Sequence, residues 1–108
     1  MIPHPMPVVP GYMRRYPGMT SDELGEMQHR LAAAARKRGY VLGTVHVEEL
    51  PTEPQAFEAL LSYLKEVAVP AIVVPTFAHI GTINNPASKY SKLRRETTAE
   101  ILIAEFLL

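Results

Sequence analysis

Val9-Pro10-Gly11-Tyr12-Met13-Arg14-Arg15-Tyr16 is apolar and aromatic at its start and ends in two cations and a phenol, directly before a Pro17-Gly18 turn signal. It predicts a short strand over Gly11 to Arg15, reaching back to Val8 if Pro10, which cannot donate a ladder hydrogen bond, is tolerated there. Working outward, Thr20 and Glu23 have capping-box spacing, and Leu24, Met27 and Leu31 with Ala34 or Ala35 form one apolar stripe that stops at Gly39. A helix follows the strand. Tyr40 to Val47 then alternates, with Val41, Val45 and Val47 expected on one face and Leu42, Thr44 and His46 on the other, as in a second strand.

The same two periods continue. Thr52 and Gln55 repeat the capping-box spacing with Pro54 in the first turn, and Phe57, Leu60, Leu61, Leu64 and Val67 follow a helical stripe. Ala71 to Val74 is continuously apolar between Pro70 and Pro75, the pattern of a strand covered on both faces. After a loop from Thr76 to Asn84, Asn85 is expected to cap a third helix with Pro86 at its first position, burying Ala87, Tyr90 and Leu93. Glu100 to Phe106 reads as a last strand. Strand and helix in strict alternation predict an α/β fold: a mostly parallel sheet of four or slightly more strands, helices on both faces, three layers. Ligands of such sheets bind beyond the carboxyl ends of the strands. Those ends supply Arg14, Arg15 and Tyr16, then Glu48 and Glu49, then Thr76 to Thr82.

A chain of 108 residues, 47% hydrophobic, suits one domain, here 9–108 after a proline-rich arm over 1–8. Eleven Lys and Arg balance eleven Asp and Glu, so no net field draws the protein to a polyanion, and nucleic-acid contact is expected to be weak. The absence of cysteine removes disulfides, thiolate catalysis and cysteine zinc sites. The opening MIPHPMPVVP is broken by four prolines and has no basic leader, so it is read as neither a signal peptide nor a membrane span. A cytoplasmic protein without a cofactor is expected. His46-Val47-Glu48 and the Glu26, His29 pair copy fragments of metal motifs but lack the cysteines or facing carboxylates that complete them, and His4 has no partner; no metal is expected.

From about Val9 to Ala104 the chain resembles the N-terminal catalytic domain of the resolvase and invertase family of serine recombinases. In that family a first strand ends in tyrosine-x-arginine-x-serine, and the next helix contains a glutamine and ends in a glycine-aromatic pair; Tyr12, Arg14, Gln28 and Gly39-Tyr40 match. Ala56-Phe57-Glu58-Ala59-Leu60-Leu61 resembles its second helix. Phe77-Ala78-His79-Ile80-Gly81-Thr82 aligns with a leucine-aspartate-arginine-leucine-glycine-arginine loop, keeping Gly81 and neither arginine. The resemblance implies a serine that attacks a DNA phosphodiester and three arginines that stabilise the phosphate. Here Tyr16 stands for the serine, Ala78 for the aspartate, and His79 and Thr82 for two arginines. Each such donor lost costs about 2.7–4 kcal/mol of transition-state stabilisation.

The expectation is therefore a catalytically inactive recombinase-like domain, an interaction or regulatory module that self-associates as a homodimer or docks on a protein partner. Its apolar Phe106-Leu107-Leu108 end is a candidate surface for this. Ending at Leu108, the chain is expected to lack the oligomerisation helix and DNA-reading module of recombining relatives. Two alternatives are a DNA strand-cleaving or strand-transfer enzyme with an altered site, using Tyr16 or a displaced Ser21 or Thr20, and a small anion- or nucleotide-binding domain using Arg14, Arg15 and His79. Lys89, Lys92, Arg94 and Arg95 form a basic stripe that reads as a solvated helix face.

Overall fold

A computed structural model describes residues 6–49, 54–81 and 84–107. The elements are β1 (Val8–Arg14), α1 (Ser21–Lys37), β2 (Val41–Glu48), α2 (Gln55–Glu66), β3 (Ala71–Val74), α3 (Lys89–Glu96) and β4 (Glu100–Ile103). All three strand pairings are parallel and the order across the sheet is β2-β1-β3-β4. Sequence order runs outward from β1 to β2 and then crosses back to β3, which places the topological switch point between β1 and β3.

The two-residue period of the strands builds two cores from one sheet. Val9 and Met13 of β1, with Ala71 and Val73 of β3 and Leu102 of β4, meet Leu31, Ala34 and Ala35 of α1. Tyr12, with Ile72 and Val74 of β3 and Ile103 of β4, meets Phe57, Leu60 and Leu61 of α2 and Leu93 of α3. β3 is thus covered on both sides, which is why its sequence shows no alternation. Each large apolar side chain fully buried in these layers contributes about 1.5–3 kcal/mol. No helix among the described residues is long and apolar enough to cross a membrane.

α1 starts as its sequence predicts. Thr20 Oγ1 accepts from the Glu23 backbone N–H at 3.1 Å, while Glu23 Oε1 accepts from the Thr20 N–H at 3.4 Å. Gly39 ends the turn at φ +83°, where a β-carbon is strained.

Four expectations need correction. β2 does not alternate in one phase: Val9 pairs with Leu42 but Gly11 with Val45, so two residues, Gly43 and Thr44, face Pro10 alone. This bulge puts Leu42 on the same α1-facing layer as Val45 and Val47, and leaves Val41 exposed. It also accommodates Pro10 inside β1, which therefore begins at Val8. The third helix starts later than Asn85. Asn85 Oδ1 instead accepts from the Ala87 N–H in a turn, and Ser88 Oγ caps α3 by accepting from Ser91 N at 3.1 Å, so Ala87 is exposed. The last strand stops at Ile103 and continues as a 3-10 turn over Ala104–Phe106. Pro54 occupies the N-cap position of α2 rather than its first turn; Thr52, its expected cap, lies outside the described residues.

Candidate functional site at the switch point

Arg14 closes β1, and its backbone N–H donates to His79 Nδ1 at 2.9 Å. A ring nitrogen that accepts carries no proton, so the imidazole holds its hydrogen on Nε2. His79 is 3% exposed, in the 3-10 turn Phe77–His79 that Thr76 starts by accepting from the Ala78 N–H. Burial, and then the charge of Arg14, lower its pKa to about 4, so at neutral pH the ring is uncharged. Tyr16 meets it edge-on, with ring centres 5.3 Å apart, and the Arg14 guanidinium carbon stands 5.8 Å from the centre of the Tyr16 ring. Tyr16 is itself 38% exposed.

Two residues back on the same face of β1, Tyr12 is fully buried and its hydroxyl donates to Glu48 Oε1 at 3.1 Å. Burial, then the negative charge of Glu48, hold this phenol far above its usual range, so it stays a donor. Glu48 is spent on structure. Its Oε2 accepts from the Ala56 N–H at 2.9 Å and its Oε1 from the Phe57 N–H at 3.3 Å, two of the unpaired donors that open α2. Pro54 at the N-cap makes no side-chain bond, and the carboxylate arriving from β2 supplies the missing acceptor. Phe57 also packs edge-on against Tyr12 at 5.6 Å.

Lys89, the first residue of α3, completes the cluster. Its Nζ lies 5.7 Å from the centre of the Phe57 ring. Burial, then repulsion from Arg14, lower its pKa against the opposing pull of Glu48. Gly81 sets where α3 begins: its φ is +86°, its N–H reaches the Phe77 carbonyl at 2.7 Å, and a β-carbon there would stand 2.7 Å from Ser88 Cβ. Gly81→Ala is therefore expected to cost about 2 kcal/mol or more, from strain at positive φ and from overlap. Urea unfolding of the variant measures it.

No family model, curated protein or solved structure matches this chain. Of the residues singled out in the sequence, Arg14, Tyr16 and His79 come together. Arg15 does not join them; its guanidinium lies 3.9 Å from Glu49 on the rim. Gln28 is half-buried on α1, and among the described residues no hydrogen bond links it to Arg14, Tyr16 or His79. Thr82 lies outside the described residues. Glu26 is paired with Arg30, and no group of metal-ligating side chains forms among the described residues.

Glu48, expected at the sheet's carboxyl end, and Lys89, expected on a solvated basic stripe, are the members whose roles the sequence did not assign. A helix starting at Asn85 would leave Lys89 within the basic stripe. With Ser88 as the cap, Lys89 becomes the first helical residue after the loop, at the sheet's carboxyl end. For Glu48 the available signal was Pro54, a residue unable to cap by its side chain. On the opposite face of the sheet, at the same end, a groove of about 620 Å³ is lined by Met19, Glu23, Met27, Pro75, Thr76 and Glu105 among others.

Proposed function

We propose that this chain is a resolvase-like domain that has lost strand cleavage and works as an interaction module by associating with a second copy. The observation that carries the reading is the arrangement at the end of β1. The imidazole aligned with an arginine is uncharged and committed through Nδ1 to backbone, and a bulky phenol stands at the aligned nucleophile position, against both the imidazole and the Arg14 guanidinium. A phosphate there would meet one guanidinium where the family uses three. The phenol oxygen also lies several bond lengths farther from the backbone than a serine oxygen, which misplaces it for attack on a phosphate held by Arg14. Ser21 and Thr20 are drawn into the start of α1, Thr20 as its cap and Ser21 as its exposed first residue.

Self-association is supported by surface chemistry. Among the described residues β2 pairs only with β1, and residues 41–47 carry no Lys, Arg, Asp, Glu or Pro, leaving the bulge at Gly43 and Thr44 to interrupt an otherwise uncharged edge. Val8 and Val41, register partners at the amino end of the sheet, are 57% and 46% exposed. α2 packs against β2, and its carboxyl end contributes the exposed Tyr63 and Val67. A net charge of zero adds no repulsion between copies.

Size-exclusion chromatography with light scattering is expected to give a dimer, and a strictly monomeric protein at all concentrations would contradict the association. Incubation with nicked duplex DNA is expected to leave no covalent adduct. An adduct abolished by Tyr16→Phe or Ser21→Ala would instead establish the strand-cleaving alternative.

A further inference from the structure

We propose that Arg14 and Lys89 form a binding site for a terminal phosphate at the switch point between β1 and β3. Arg15, Arg30, Arg38 and Lys65 each have a carboxylate within 4.0 Å. Among the described residues, Arg14 and Lys89 form no such pair, although both are half-buried. Each is steadied by an aromatic face instead, Arg14 by Tyr16 and Lys89 by Phe57. Phe57 packs on Tyr12, and Tyr12 and Arg14 stand two residues apart on one strand, so both cations belong to the same face of the sheet.

Glu48 pulls on Lys89 through its charge but forms no ion pair with either cation among the described residues. Glu48 has given both oxygens to the Tyr12 hydroxyl and to the N–H groups of Ala56 and Phe57. Both cations thus flank the Tyr12–Phe57 pair on one face of the sheet with no carboxylate among the described residues bonded to either, an arrangement that an incoming anion would complete. A planar guanidinium and an ammonium together suit phosphate oxygens. A terminal phosphate brings nearly two negative charges for these two cations, whereas an internal phosphodiester brings one. Arg15, held toward Glu49, takes no part. The site stands whether or not the chain self-associates.

Calorimetric titration with inorganic phosphate at low salt is the test, followed by 5′-AMP against adenosine and by a short single-stranded DNA with and without a 5′-phosphate. Two charge-assisted contacts predict a dissociation constant on the order of 1 mM or tighter for inorganic phosphate. 5′-AMP and the 5′-phosphorylated strand should bind at least about tenfold more tightly than their unphosphorylated counterparts. If 5′-AMP is preferred to the phosphorylated strand, the ligand is a free nucleotide; the reverse order makes it a strand end. Lys89→Met and Arg14→Met should each weaken phosphate by about tenfold or more, while Lys89→Arg retains it. Circular dichroism of each variant verifies folding, and Arg15→Met serves as the variant that leaves binding unchanged. No heat with inorganic phosphate, equal binding of phosphorylated and unphosphorylated DNA, or unchanged affinity in folded Lys89→Met would overturn the proposal.

Discussion

Glu48→Ala is expected to lower the unfolding free energy by about 3–5 kcal/mol. The carboxylate is 4% exposed and joins three elements: its own strand, Tyr12 of β1 and the first turn of α2. Alanine leaves a phenol and two backbone N–H groups without their acceptor in a packed interior, and each orphaned donor costs about 1–3 kcal/mol. It also removes the negative charge from the positive end of α2. Glu48→Gln, which keeps an acceptor but loses the charge, should cost clearly less. Urea titrations of both variants measure the difference; a loss under about 1 kcal/mol for alanine would show that α2 finds another cap.

Acid should weaken the fold through His79 before general carboxylate protonation does. The unfolded imidazole takes up a proton near pH 6.5, whereas the folded one, buried and facing Arg14, resists it to about 4. Between these values the unfolded chain binds more protons. Stability contributed by the neutral ring is therefore intact above pH 6.5 and falls as the pH drops, by up to about 3 kcal/mol by the time the folded pKa is passed. Protonation would also put a proton on Nδ1, where the Arg14 N–H now binds. His79→Asn, which offers an oxygen in place of Nδ1 and does not titrate, should flatten the profile between pH 6.5 and 4. His46, whose pKa burial also lowers, and the carboxylates contribute alike to both proteins and cancel in the difference. Unfolding curves at pH 7, 5.5 and 4.5 for the two proteins decide it, and parallel profiles would contradict the role given to His79.

The layers were legible because they rest on periodicity and local chemistry. Thr20 and Glu23 close their box within one turn, and Leu24, Met27 and Leu31 share a stripe whatever lies beyond. Ala71–Val74 could be read as a doubly covered strand from its unbroken apolar run. Errors arose where the next residue over decided the geometry. One extra residue in β2 reversed its phase, and that depends on Pro10 in a neighbouring strand. Asn85 and Ser88 are both sound caps by composition. Ser88 prevails where Gly81 turns the chain and the Tyr90 N–H reaches the Ile80 carbonyl at 2.8 Å.

The candidate site divides the same way. Arg14, Tyr16 and His79 could be placed at one end of the sheet because topology alone sends the carboxyl ends of β1 and β3 there. That His79 is neutral, that Glu48 caps a helix eight residues away and that Lys89 stands over Phe57 with no ion pair among the described residues depend on contacts between distant segments. The sequence by itself determined the alternation of strand and helix, the parallel sheet and the end at which polar groups gather, since these follow from side-chain spacing along a single element. Only the tertiary structure decided which of those groups are charged, committed or open, because burial and pairing are properties of residues brought together across the fold and are absent from any one of its segments.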